Sequence, residues 1–437
     1  VITIAMCLII GTILSHKKPK DTEFYATEGY ITVSLSWVIL SIFGCLPFVI
    51  SGEIPSMVDA LFETISGFTT TGASILSDVE SLSYCNNMWR CFTHWIGGLV
   101  FILAILPMRG GQRMYLMKAE SPGPSVEKLV PKVRNTAMIL YGIYTVMTFI
   151  EVLLLLISGM PLFDALTTSF GTAGTGGFGI KNDSITGYNS SIQIIVTVFM
   201  ILFGLNFNIY YLILCKKFKQ ALHSEELKAY LLVIFATIGI ITFNIRSFFP
   251  TIGEALKHAA FQVGSIITTT GFSTTNFDLW PQVSKTILIM LMFMGACAGS
   301  TGGGIKVSRL LKLIKTLKKE LFTIVHPRGV KKITMDKRPI EHETVRLTNI
   351  FMVAYIFILA FSILLIGIDN LDFTTNFTAV AATLNNIGPG LELVGPTRNF
   401  GLFSDFSKFI LMFDMLAGRL EIFPMLMLFA PISWKRQ

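Results

Sequence analysis

Apolar runs long enough to cross a bilayer alternate along this chain with short polar interruptions, and the interruptions repeat one pattern. The runs lie at 30–50, 87–107, 136–158, 191–215, 226–249, from 283 onward, 345–368 and 406–432. Each is continuously apolar rather than strictly alternating, which predicts helices and argues against a β-barrel. Within each successive pair lies a segment able to form a short helix, at 57–68, 161–172, 251–267 and 372–384. A glycine loop follows each one. The loops read Thr69-Thr70-Thr71-Gly72-Ala73, Gly174-Thr175-Gly176-Gly177-Phe178, Thr268-Thr269-Thr270-Gly271-Phe272 and, as a weaker echo, Asn385-Asn386-Ile387-Gly388-Pro389. Gly72, Gly177, Gly271 and Gly388, taken as equivalents, are separated by 105, 94 and 117 residues. This is the signature of a chain folded four times over.

The pattern predicts an all-α integral membrane protein of four tandem helix–pore-loop–helix repeats in pseudo-four-fold arrangement around one pore. Its parts are a remnant of an N-terminal helix with a cytoplasmic loop at 1–20, repeat one at 21–108, a connection at 109–134 and repeat two at 135–219. Repeat three follows at 220–320, then a second connection at 321–342 and repeat four at 343–437. The first apolar run, 1–14, ends at His16-Lys17-Lys18-Pro19-Lys20 and reads as the tail of a helix preceded by further sequence; no cleavable signal peptide is read. Eight crossings, four half-crossing loops and this remnant account for the chain.

Composition supports the reading. Of 437 residues, 52% are hydrophobic and 14% charged, too apolar for an ordinary soluble domain. The formal net charge of +8 gathers in the connections, as in the cytoplasmic loops of helical membrane proteins, so nucleic acid is not expected as a partner. The opposite ends hold few cations, among them Arg90, Lys181, Arg246, Lys257, Lys285, Arg398 and Lys408. That asymmetry places the glycine loops on the extracytoplasmic half. The six cysteines are scattered without metal-ligand spacing, and Cys85 and Cys91 read as free thiols. No Walker loop, dinucleotide fingerprint or cluster of catalytic residues within a span is present, so no enzyme activity and no cofactor are expected in this chain.

Short polar loops rich in glycine, set between spans, suit a dehydrated monovalent cation, because a ring of backbone carbonyls can replace its water. Glycine lets successive carbonyls face one axis, and each short helix turns its partly negative C-terminal end toward the membrane interior. The return after 283 is interrupted by Gly295-Ala296-Cys297-Ala298-Gly299-Ser300-Thr301-Gly302-Gly303-Gly304, ahead of a basic helix at 306–319. Non-helical backbone at that depth is tolerated only where it lines water or protein; a packing kink is the plain alternative. Arg419 falls in the middle of an otherwise apolar span, where an ionisable group points to water, a partner or carbonyls. A structural pair with Glu421 is disfavoured by their spacing, since residues two apart face different sides of a helix. Glu151, also within a span, reads as an interhelical partner rather than an ion ligand.

The loops at 69–74, 268–273 and 383–390, with His94-Trp95-Ile96-Gly97-Gly98, Ala298-Gly299-Ser300-Thr301-Gly302-Gly303-Gly304-Ile305-Lys306 and Gly418-Arg419-Leu420-Glu421-Ile422-Phe423, resemble the motifs of the Trk/Ktr/HKT superfamily of potassium transporters. The second loop is more similar to the bacterial TrkH branch than to the KtrB branch. The resemblance spans nearly the whole chain and implies potassium uptake across the bacterial cytoplasmic membrane. It implies potassium sites at the carbonyls of Thr70, Thr71 and Gly72, of Thr175, Gly176 and Gly177, of Thr269, Thr270 and Gly271, and of Asn386, Ile387 and Gly388. It also implies a gate formed by Gly299, Ser300, Thr301, Gly302, Gly303 and Gly304, with Arg419 as a positive barrier that holds the gate loop. A homodimer is implied, with a cytosolic TrkA-like regulatory subunit through which any nucleotide acts. Sodium-coupled KtrB-like transport is the nearest alternative. A secondary transporter of another solute is more remote, because it would show inverted halves.

Overall fold

In a computed structural model, residues 2–16, 26–105, 133–329 and 332–434 are described. Most of the basic connection expected at 109–134 lies outside them. Among the described residues the regular elements are helices, apart from one small hairpin.

Helices α1 (Ile2–His16) and α2 (Ala26–Ser51) open the chain. Short helix α3 (Met57–Phe68) and helix α4 (Tyr84–Ile105) complete the first unit. The second unit runs through α5 (Val133–Ile157), short α6 (Leu162–Gly174), α7 (Ser190–Phe203) and α8 (Phe207–Leu214). After a single turn, α9 (Phe218–Leu222), the third unit contains α10 (Glu225–Ile245), short α11 (Ile252–Ile267), α12 (Gln282–Met294) and α13 (Val307–Val325). The fourth contains α14 (His342–Ile366), short α15 (Phe373–Leu384), α16 (Asp405–Arg419) and α17 (Phe423–Phe429). The hairpin pairs Thr334–Met335 with Arg338–Pro339 around Asp336 and Lys337, both at positive φ as a two-residue turn requires.

The short helices start at strong signals. Ser56, Thr251 and Asp372 each accept a hydrogen bond from a backbone N–H three residues on, capping α3, α11 and α15, while α6 starts directly after Pro161. Asp59, Asp164 and Glu254 add an acidic group to the first turn, where the helix dipole favours it.

Among the described residues, four single helices are long and apolar enough to cross a membrane: Thr27–Ser51, Met138–Ile157, Glu225–Phe248 and His342–Asp369. They are the leading helices of the four units. The returning helices differ. In α4 the first half carries buried Asn86, Asn87, Arg90, Thr93 and His94, and the other three returns are broken. The run at 191–215, expected as one span, bends by 90° between α7 and α8. Its freed backbone groups are taken by the third unit, where Cys297 N donates to Gly204 O at 3.1 Å and Phe207 N to Gly299 O at 3.0 Å. The run at 406–432 breaks after Arg419, with Glu421 and Ile422 at φ 56° and 71°. Arg419 is therefore the last residue of α16, at the helix end that favours a cation, and not mid-span as the apolar pattern suggested. The break expected after 294 is present.

Each short helix packs between the two helices of its own unit and the returning helix of the preceding unit: α6 on α4, α11 on α7, α15 on α12, and α3 on α16. The last contact joins the fourth unit back to the first. On the rim it includes Lys408 Nζ donating to Asp59 Oδ1 at 2.6 Å.

Candidate functional site

The four short helices all end in the same turn. Thr70 N donates to Gly67 O and Thr71 N to Ser66 O; the same three-back and five-back bonds are made by Thr175 and Gly176, by Thr269 and Thr270, and by Asn386 and Ile387. This is the Schellman closure, with a left-handed residue just past the helix. That residue is never glycine here: Thr70, Thr175, Thr269 and Asn386 have φ of 56°, 55°, 61° and 55°. Left-handed backbone costs an L-residue roughly 1–2 kcal/mol, and such strain persists only where the surroundings over-determine it. Two residues later come the expected glycines, Gly72, Gly177, Gly271 and Gly388, at φ 81°, 78°, 88° and 93°. The fourth loop, which departs most in side chains, thus has the backbone of the other three.

The loops abut one another in cyclic order. A Cβ added to Gly72 would collide with Gly176 O, one on Gly177 with Thr270 O, and one on Gly271 with Ile387 O. On Gly388 it would stand 2.9 Å from Thr71 O. Each glycine is therefore obligatory twice over, for its dihedral and because the neighbouring loop's carbonyl occupies the space of a side chain. The twelve residues expected to supply carbonyl oxygens, Thr70 to Gly72, Thr175 to Gly177, Thr269 to Gly271 and Asn386 to Gly388, lie in these four loops.

The loops are braced from behind by groups that spacing alone did not single out. Glu63 accepts from Ser74 Oγ at 2.9 Å, Ile75 N at 3.0 Å and Arg90 Nε at 2.5 Å. Arg90 also donates to Gly179 O at 2.8 Å and covers the Phe178 ring at 3.7 Å, so one buried ion pair fastens the first and second loops together. His94, fully buried, does the same. Its Nε2 accepts from Phe178 N at 3.1 Å, which leaves Nδ1 as the protonated nitrogen, donating to Gly67 O at 2.8 Å. Asn386 Nδ2 crosses from the fourth loop to Thr71 Oγ1 at 2.9 Å. On the outer side Asn182 binds Asp78, and this hydrogen bond holds the Asp78 carboxyl below its ordinary range. The six cysteines are free thiols, with Cys85 exposed and Cys91 buried. Glu151 is buried beside Thr172 of α6.

The loop between α12 and α13 lies against this cluster. Gly303 N donates to Thr269 Oγ1 at 2.6 Å, and Thr301 Oγ1 to Phe203 O at 3.4 Å. Lys306, at φ 79°, turns its ammonium back onto Gly302 O. Of Gly299, Ser300, Thr301, Gly302, Gly303 and Gly304, it is Gly302 and Gly303 that lie against the third and fourth glycine loops, while Gly299 sits beside Asn206 at the bend after α7 and Gly304 against Gly295. Arg419 reaches the same loop from the fourth unit, donating to Thr301 O at 2.7 Å and to Gly97 O at 2.6 Å and Gly98 O at 3.2 Å in α4. Glu421 pairs with Arg309 of α13, whose guanidinium covers the Phe351 ring at 4.2 Å. The break at 420–422 gives Glu421 that reach.

A family model described as a cation transport protein, TrkH, matches residues 1–436. The chain is 36% identical to the Trk system potassium uptake protein TrkH of Salmonella typhimurium strain LT2, covering 99% of this chain and 91% of that protein. It is 31% identical to the Trk system potassium uptake protein TrkG of Escherichia coli K12, covering 99% and 90%. The crystal structure of the potassium transporter TrkH from Vibrio parahaemolyticus superposes with a TM-score of 0.88 at 32% identity, over 99% of this chain and 91% of that one. Matched along its whole length in sequence and in fold, this multi-pass membrane chain belongs to the TrkH family of cation transport proteins.

Proposed function

We propose that this chain is the pore-forming subunit of a Trk-type system that takes up potassium across the bacterial cytoplasmic membrane. The observation that carries the reading is the cyclic contact of four glycine loops with one backbone geometry, in a chain whose relatives are named as potassium uptake proteins. The four units are tandem repeats in pseudo-four-fold arrangement around one pore, with boundaries at 21–108, 135–219, 220–320 and 343–437. Potassium enters from outside and exchanges its water for the carbonyls of Thr70, Thr71, Gly72, Thr175, Gly176, Gly177, Thr269, Thr270, Gly271, Asn386, Ile387 and Gly388. The strained, mutually wedged loops hold those carbonyls against collapse when no ion is present. Beneath them the loop 299–304 is the gate, and Arg419 is both its tether and a positive barrier to cations. The subunit works as a homodimer with a cytosolic TrkA-like ring, which supplies any response to nucleotide.

The test is growth rescue of a potassium-uptake-deficient bacterium at low external potassium, with the partner subunit present. The parent chain should rescue, while Gly72→Ser and Gly271→Ser should lose preference for potassium over sodium. A parent that fails to rescue, or two substitutions that leave selectivity unchanged, would rule the filter out.

A further inference from the structure

Glu226 has no part in the pore as described so far. It lies in the first turn of α10, is 7% exposed, and follows Ser224, which caps the helix by accepting from Leu227 N. One of its oxygens, Oε1, accepts two backbone donors: Ala298 N at 2.7 Å and Ser308 N at 3.1 Å. These donors are the two feet of the interrupting loop. Ala298 stands just past the end of α12, where the break strips its N–H of a helical partner. Ser308 is in the first turn of α13, where helix geometry leaves the N–H free. A single carboxylate oxygen on another helix thus fastens both feet, beside the backbone bonds from Ile305 N to Phe293 O, Lys306 N to Met294 O and Val307 N to Ala296 O that join the two flanks directly.

Backbone bonds from Cys297 N to Gly204 O and from Phe207 N to Gly299 O also hold the first foot, while three side-chain fastenings grip a different part. Arg419 holds Thr301, Thr269 holds Gly303 and Lys306 holds Gly302, all at the tip. A tip can leave the pore axis only if the feet pivot, and Ala298 and Ser308 cannot both pivot while they share Oε1. Separating them leaves the half-buried Ala298 N–H, the buried Ser308 N–H and a buried carboxylate unpaired at once, a cost that helps to keep the loop where it is.

We propose that Glu226 is a positioning residue of the gate, tying both feet of the loop to one carboxylate and so holding the closed geometry. The inference rests on the reading of 299–304 as a gate and adds to it the element that must be released before the gate moves.

The experiment measures radioactive rubidium uptake into proteoliposomes containing the full chain without its partner, for the parent, Glu226→Ala, Glu226→Gln and Arg419→Ala. Glu226→Ala should raise partner-independent uptake by about tenfold or more, the scale of even one lost hydrogen bond to a charged acceptor, with unchanged preference for potassium over sodium. Glu226→Gln, whose amide oxygen still accepts, should give a smaller rise. A merely structural role would lower uptake in both. If Arg419→Ala raises uptake and neither Glu226 variant does, the assignment of Glu226 is wrong while the gate stands. If none of the three does, the gate reading itself fails. Should Glu226→Ala yield no folded protein, Glu226→Gln decides through Cys297, which is buried in the loop. In a chain whose other five cysteines are serine, its maleimide labelling should accelerate several-fold, and an unchanged rate refutes the proposal.

Discussion

Arg419→Ala should raise the cation flux of the isolated subunit. The guanidinium holds Thr301 O at 2.7 Å, Gly97 O at 2.6 Å and Gly98 O at 3.2 Å. A hydrogen bond from a charged donor contributes about 1.5–3 kcal/mol, and for this half-buried side chain the lower end applies. On the proposed reading of 299–304 as a gate, the Thr301 bond is the one that ties it, so its loss removes about 1.5 kcal/mol of preference for the closed position and multiplies the displaced fraction about tenfold. Arg419→Lys separates the two roles given to the residue. An ammonium keeps the charge but cannot fork to carbonyls on two elements, so the barrier survives while the tether weakens. Rubidium uptake into proteoliposomes should therefore rank alanine above lysine above arginine. Unitary conductance in planar bilayers should rise for alanine alone. An alanine variant that elutes as folded protein yet conducts no more than the parent refutes the tether, and equal unitary conductance for lysine and alanine refutes the barrier.

Thr269→Val removes the hydroxyl that accepts Gly303 N but keeps the backbone carbonyl. It should increase partner-independent flux without changing selectivity, and Thr269→Ser should restore the parent value in the same uptake assay. His94→Asn keeps a donor for Gly67 O and leaves Phe178 N unpaired, a cost of about 1–3 kcal/mol. Potassium preference over sodium should fall, measured by competition in uptake. Arg90→Ala strands the Glu63 carboxylate without its buried partner, a loss of about 3–5 kcal/mol. The purified variant should unfold at a clearly lower temperature, and an unchanged transition would remove the pair from the structural account.

The glycine loops were legible in the sequence because their requirement is local: a positive φ and a missing side chain can be read from one residue. The four leading helices were equally plain, since each is a single apolar run. What did not show was anything decided by a distant partner. The break at 420–422 contains neither glycine nor proline, and Glu421 adopts φ 56° in a conformation that carries its carboxylate to Arg309. The bend after Phe203 has Gly204 as a hint, but its cause is the bonding of Gly204 and Phe207 to the loop of the next unit. The left-handed threonines were hidden for the opposite reason. Thr70, Thr175 and Thr269 look like ordinary polar loop residues, and the strain sits on them rather than on the glycines alone. His94 lay in a motif that was noticed, although nothing in its spacing said that its two ring nitrogens would join two different loops.

The circle of contacts from Gly72 to Gly176, Gly177 to Thr270, Gly271 to Ile387 and Gly388 to Thr71 has no edge. A ring of loops built this way behaves like an arch closed on itself, in which every stone is also the abutment of the next. On the proposed reading of the ring as a filter, widening for a larger ion, or shrinking around a smaller one, must move all four loops together. Damage to different loops should therefore converge on one common phenotype, and two such injuries combined should do little more harm than either alone.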